Sequence, residues 1–379
     1  MSATDQAASA TSVMRRVRLA DLDATAREAI VDRSTTSGRE LREMVRAIVQ
    51  DVAAGGDEAL RGANRRFGGG LLADASGPAP LRLDRDTLRA ARDSLPKALR
   101  DALSHMARNI ERFHAAQVPP PKQWVEIGRG IRVGRVWRAL DRVAAYVPGG
   151  TAAYPSSVLM SAIPARLAGV GEFVVASPAG RDGTLSPALL GAAGLMEVDE
   201  FVVTGGAQAI AALAYGTETI RPVDKIVGPG NAWVTAAKLE VFGRVAIDMP
   251  AGPSEVMVVA DDTADPAHVA ADLLSQAEHG PDSPAILVTP SSTLADGVVE
   301  AITRQLPTLP RQAELRASLS SAGLIVETTT LDEAFVFVNE YAPEHLSVVV
   351  EDLDDAQEAV RHAGSLFLGA YAPESAGDY

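Results

Sequence analysis

The sequence has 379 residues, 47% of them hydrophobic, with 35 Lys and Arg against 49 Asp and Glu and no Cys. That length suits two or three domains and that apolar content excludes a disordered chain. The net charge of −14 argues against nucleic-acid binding or adhesion to anionic lipid, since both need positive potential. Without thiols there are no disulfides, no thiolate metal sites and no Cys nucleophile, so any metal must be held by nitrogen and oxygen.

The N-terminus, MSATDQAASATSVMRRVRL, lacks the apolar core of a secretory signal, and no window is apolar enough to span a membrane. A cytoplasmic protein is expected. A helix is predicted from about residue 37 to 53, with Leu41, Met44, Ile48 and Val52 at helical spacing, before RFGGG (66–70) breaks the pattern. A longer helix begins near Pro96, where Leu99, Leu103, Met106, Ile110 and Phe113 form one core-facing stripe. Val118-Pro119-Pro120-Pro121-Lys122 ends it. Residues 124–127 and 131–133 then alternate as short strands across a Gly-Arg-Gly turn. Gly128, Gly130 and Gly134 make no dinucleotide fingerprint, because the spacing is wrong and no helix follows.

From about residue 145 short apolar runs alternate with helical stretches: AAYV, FVVA (173–176), FVVT (201–204), KIV (225–227) and VAI (245–247). A second set follows, with EVMVV, AILVT (285–289), GLIVET (323–328), LSVVV (346–350) and SLFLG (365–369). Runs this uniformly apolar are buried on both faces, as in parallel sheets with helical crossovers. The predicted fold is α/β, with two doubly wound Rossmann-like units, parallel-type sheets and a helical N-terminal region. Pattern alone leaves open whether that helical region completes the second unit. The division adopted is an arm over 1–34, a discontinuous Rossmann-like domain over 35–143 and 248–379, and an inserted Rossmann-like domain over 144–247.

Open parallel sheets bind ligands beyond the carboxyl ends of their strands. Three Gly-rich turns follow strands there: Pro148-Gly149-Gly150-Thr151, Gly205-Gly206-Ala207-Gln208 and Gly228-Pro229-Gly230-Asn231. Each lets backbone N–H groups approach a phosphate, and three in one unit favour a nucleotide or a phosphate over plain turn geometry. Gln276 and His279 share a helix face, which leaves open a cation site or a helix cap. Glu344 and His345, placed in a turn by Pro343, suit proton transfer but equally suit a solvated loop. Ser254 lacks the nucleophile elbow of a hydrolase. His105, His114, His268 and His362 have no partner at ligand spacing and read as structural.

Together the segments YVPGGTAAYPSSVLM (146–160), GGAQAIAALAYGT (205–217), VDKIVGPGNAWVTAAK (223–238), IDMPAGPSEV (247–256), LLSQAEHG (273–280), NEYAPEHL (339–346) and PESAGDY (373–379) closely resemble the histidinol dehydrogenase family. The resemblance implies a homodimeric enzyme that oxidises L-histidinol to L-histidine through the aldehyde, reducing two NAD⁺ and requiring Zn²⁺. It implies that Tyr146, Gln208 and Asn231 contact NAD and that Ser254 contacts substrate. Gln276, His279 and Asp378 become zinc ligands that also meet the substrate, and Glu344 and His345 the catalytic pair, His345 also touching substrate. The family continues past its GDY motif with a tail carrying a further zinc-ligating His. The 379-residue chain is therefore expected to bind NAD, to hold zinc weakly and to turn over slowly or not at all. Two other readings are a same-fold enzyme for a different polar alcohol, such as a sulfonated diol, and a catalytically silent chain.

Overall fold

The computed structural model describes residues 13–32, 38–73, 77–149, 154–250 and 254–377. The chain divides into two compact units, one drawn from residues 1–35 and 253–378, the other from 36–252. Each is built on a six-stranded sheet. In the 253–378 unit the strands lie in the order Arg15–Arg18, Gly323–Glu327, Ala285–Thr289, Val256–Ala260, His345–Val349 and Ser365–Leu368, and every pairing is parallel. In the 36–252 unit the order is Arg82–Leu83, Glu200–Val203, Glu172–Ser177, Arg142–Tyr146, Lys225–Val227 and Ala246–Ile247. Only the short first strand of that sheet runs antiparallel.

The apolar runs form strands because both faces of each sheet are covered. Val256, Val258 and Ala260 point into one buried cluster, while Met257 and Val259 point into another. The same alternation sends Ala144 and Tyr146 to one side of the other sheet and Val143 and Ala145 to the opposite side. A residue pointing either way meets a core, so no polar side chain is needed along these strands.

The division of the chain differs from the expected one. The helical first third, predicted to join 248–379, instead covers the 36–252 sheet. Helix Arg39–Phe67 contributes Val45, Val49, Val52 and Leu60 to the cluster that holds Ala207 and Ala209–Ala214. Helix Lys97–Ala115 contributes Leu103 and Ile110 to the cluster on the other face. The expected N-terminal arm is part of the other unit. Arg15–Arg18 pairs with Leu324–Glu327, and Met14 is buried beside Val256 and Val258.

Both predicted helices exist with shifted stripes. Val45 and Val49 are buried whereas Met44 is exposed, and Phe113 lies in solvent at the end of its helix. The first helix runs past residue 53 through a kink at Gly56 (φ +53°). The kink frees the Asp57 N–H, which donates to the Glu218 carboxylate at 2.7 Å, replacing the lost helical acceptor. The strands Lys122–Gly128 and Ile131–Val136 form a separate antiparallel hairpin. No helix among the described residues is long and apolar enough to cross a membrane.

Helix Arg85–Ser94 approaches helix Pro187–Leu195 so closely that a Cβ at Gly194 would lie 2.0 Å from the Leu88 carbonyl oxygen. Alanine normally favours helix over glycine by up to about 1 kcal/mol. Here Gly194→Ala must push the helices apart, and overpacking of this kind costs about 1–3 kcal/mol. Thermal melting should show a lowered Tm; an unchanged or raised Tm would show that the helices can separate freely.

Candidate active site

Strand order in the 36–252 unit reverses at Arg142–Tyr146: the next two strands add on one side and Lys225–Val227 on the other. Such a reversal opens a crevice at the carboxyl ends of the strands. A cavity of about 800 Å³ lies there, and Tyr146, Gln208 and Asn231 all line it. Three residues far apart in sequence are thus brought together.

Tyr146 is buried, and its hydroxyl oxygen accepts the Gly206 N–H at 3.1 Å. Burial pushes the phenol above its ordinary pKa, partly opposed by the Gly206 N–H, so its proton stays available for donation. Gln208 lies in the first turn of helix Gly206–Tyr215 and is buried. Asn231 caps helix Ala232–Val241, its Oδ1 accepting the Trp233 and Val234 N–H groups at 3.1 and 3.2 Å. With the oxygen committed to the cap, a ligand would meet the amide NH₂. Gly228 passes over Tyr146 so tightly that a Cβ would stand 2.2 Å from the Tyr146 carbonyl oxygen, and its φ of +103° suits glycine. That turn is clamped on both sides. The Gly228 N–H donates to Asp248 at 2.8 Å, while buried Lys238 donates to the Gly228 carbonyl at 3.0 Å and pairs with Asp248. Of the third Gly-rich turn, Gly149 lines the cavity and residues 150–153 lie outside the described residues.

Sequence reasoning missed Asn64, which also lines this cavity. Its Oδ1 accepts the Thr204 hydroxyl at 2.7 Å and the Gln208 amide at 3.5 Å. No motif marks it. The only signal was its place in the last turn of a long helix running into a Gly-rich segment.

In the 253–378 unit the candidate residues gather at the amino edge of the sheet rather than the carboxyl edge. Val256 is the register partner of His345, so the residues just before both strands, Glu255 and Glu344, are neighbours. They bond reciprocally. The Glu255 N–H donates to Glu344 Oε2 at 3.3 Å, and the Glu344 N–H donates to Glu255 Oε1 at 3.1 Å. His345 Nδ1 lies 3.2 Å from the Glu255 carbonyl oxygen. A carbonyl can only accept, so Nδ1 carries the hydrogen and a neutral ring presents a bare Nε2. Glu344 Oε2 lies 3.9 Å from Nδ1, and its side chain is about half exposed.

Helix Pro266–Ala277 ends two residues earlier than the continuous helix expected through His279, with Glu278 as its C-cap. The His279 N–H still bonds the Gln276 carbonyl at 3.1 Å, which keeps the two residues close. Gln276 is buried, and its amide NH₂ donates to the Ser254 carbonyl at 2.7 Å. Its Oε1 is therefore the atom left to face a cation, and with the His279 imidazole it makes two oxygen and nitrogen donors that suit zinc. Asp378 lies outside the described residues. Among the described residues no three His, Asp or Glu side chains cluster as a metal site.

The histidinol dehydrogenase family model matches residues 31–379. The chain belongs to the histidinol dehydrogenase family. It is therefore an oxidoreductase. It is 44% identical over 351 residues to histidinol dehydrogenase of Methanothermobacter thermautotrophicus, covering 92% of this chain and 80% of that protein. It is 48% identical over 342 residues to the Gluconobacter oxydans enzyme of the same name, covering 90% and 78%. The crystal structure of histidinol dehydrogenase from Elizabethkingia anophelis superposes with a TM-score of 0.89 at 37% identity, over 97% of this chain and 83% of that one.

One turn before Gln276, burial pushes the Asp272 carboxyl up to about 6, partly opposed by His268. The unfolded value is near 3.9, so the folded state holds a proton that the unfolded chain releases between about pH 4 and 6. Stability contributed by this group is present below pH 4 and is lost as pH rises through 6. Asp272→Asn, neutral throughout, should gain stability over the parent at pH 8, with the gain shrinking toward pH 4. Urea melts of both proteins at the two pH values measure this; a gain independent of pH would contradict it.

Proposed function

We propose that the chain oxidises L-histidinol to L-histidine in two NAD-dependent steps, as a cytoplasmic homodimer of histidine biosynthesis. The relatives reported above carry the histidinol dehydrogenase name, which favours histidinol over another polar alcohol and favours an active chain over a silent one. The observation that carries the mechanism is the tether on His345, whose bonded Nδ1 leaves Nε2 ready to accept a proton.

His345 Nε2 takes the hydroxyl proton of the alcohol as hydride leaves its carbon. The aldehyde must then be hydrated before a second hydride can depart. Glu344, half exposed beside His345, takes a proton from the water that adds to it. As that water adds, His345 returns its proton to the aldehyde oxygen, and the freed Nε2 then accepts the hydroxyl proton of the hydrate. NAD⁺, when bound, supplies the hydride acceptor for each oxidation. Its binding by Tyr146, Gln208 and Asn231 is supported by their convergence on one cavity large enough for a substantial part of a dinucleotide, rimmed by the N-termini of two helices. Zinc, by resemblance, would be held by Gln276, His279 and Asp378, and would orient the imidazole and amino nitrogens of the substrate beside Ser254.

His345→Asn should lower kcat by about 10²–10⁴-fold, the usual contribution of a general base, with a smaller effect on KM. Glu344→Gln should impair oxidation of added aldehyde more than that of alcohol, because only the former begins with hydration. Equal losses in both would remove Glu344 from the water. The parent should form two NADH per histidinol consumed; a ratio of one with free aldehyde accumulating would overturn the two-step reading.

A further inference from the structure

We propose that Glu255 is a positioning residue that holds Glu344 and His345 in their working geometry. The inference rests on the reading of those two as the catalytic pair. Glu255 is 7% exposed, at the foot of an apolar strand where the next five residues are buried and nonpolar. Strand pairing needs only its backbone, so the carboxylate calls for another explanation.

The explanation lies in what its atoms reach. The carboxylate spans the turn that delivers the catalytic pair. Oε2 accepts the hydroxyl of buried Tyr341, the last residue of helix Leu331–Tyr341, at 3.1 Å. Oε1 accepts the Glu344 N–H, on the far side of the turn, at 3.1 Å. Between them Ala342 adopts φ +53°, a left-handed conformation costly for a residue with a Cβ. The turn therefore needs ties on both flanks, and Glu255 supplies one to each. Its backbone completes the grip: the N–H holds the Glu344 carboxylate and the carbonyl holds His345 Nδ1. Other bonds from this segment go to the neighbouring strand, Gly364 N–H to the Pro343 carbonyl at 2.9 Å and Ser365 N–H to the Glu344 carbonyl at 2.8 Å. These set the height of the turn, whereas Glu255 sets its rotation toward the Glu344 and His345 side chains.

Glu255 neither touches a reacting atom nor transfers a proton in this scheme. It acts through the pair, and a misplacement of about 1 Å can cost on the order of 10²-fold in rate. Glu255→Ala should therefore lower kcat for histidinol at least about 10-fold with KM changed far less. Glu255→Gln keeps an acceptor for the Glu344 N–H, and its NH₂ can donate to the Tyr341 oxygen, so it should recover most of what alanine loses. Tyr341→Phe removes one tie and should lower kcat in the same sense, by less.

The experiment measures kcat and KM of these variants beside the parent and His345→Asn, with melting curves to establish that each is folded. If Glu255→Ala does not fold, Glu255→Asp, whose carboxylate falls one methylene short of both ties, replaces it. A folded alanine or aspartate variant with parental kcat overturns the proposal, as does a glutamine variant as impaired as alanine. His345→Asn separates the two levels. Loss in His345→Asn with none in Glu255→Ala rejects only the positioning role, whereas parental turnover in His345→Asn rejects the catalytic reading itself.

Discussion

The parallel pairing of Val256–Ala260 with His345–Val349 is the constraint on which the proposed catalytic site depends. Its register is fixed by burial. Leu346 and Val348 enter the same cluster as Met257 and Val259, and a slip of one residue would turn those side chains toward the opposite face. Glu255 and Glu344 stand immediately before the paired residues and inherit that precision. Their reciprocal bonds, and the bond to His345, need no flexible loop to find each other.

A related device serves the other unit. There the turn after Lys225–Val227 must pass over Tyr146 and deliver Asn231 to the head of a helix. Lys238 and Asp248 grip its peptide groups from both sides, with Lys238 almost wholly removed from water. A lysine buried this deeply is tolerated because its charge has a carboxylate partner and a second hydrogen has a carbonyl. The pair is a clamp on backbone rather than a general source of stability.

The sheets were legible in the sequence because strands buried on both faces are apolar throughout, and each predicted run from 173 to 369 falls on or beside an observed strand. The Gly-rich turns were legible because turn geometry is a local property, whereas Tyr146, Gln208 and Asn231 beside them were named by the family resemblance. Membership of the units was not legible. Whether Val45 packs on one sheet or another depends on contacts between distant segments, and an amphipathic helix reads the same against either. For the same reason Arg15–Arg18, mostly charged and at the sheet edge, gave no strand signal. Spacing alone could not decide the roles of Glu344 and His345, since the bonds that hold them come from Glu255, about ninety residues away in sequence. Looking beyond the carboxyl ends of strands leads to the Tyr146 cavity in one unit, whereas Glu344 and His345 stand at the amino edge of the other sheet.

That difference of edge carries an electrostatic consequence. In a parallel α/β unit the helices run opposite to the strands, so the two edges of the sheet differ in polarity. Helices Gly206–Tyr215 and Ala232–Val241 begin at the Tyr146 cavity and bring to it the positive ends of their dipoles. Helices Pro266–Ala277 and Leu331–Tyr341 instead end beside Gln276 and just before Glu344, bringing negative ends. The first edge suits an anionic ligand such as a pyrophosphate. The second suits positive charge, whether a divalent ion or an imidazole that has just gained a proton. Each unit thus sorts charge by the direction of its chain, before any side chain is chosen.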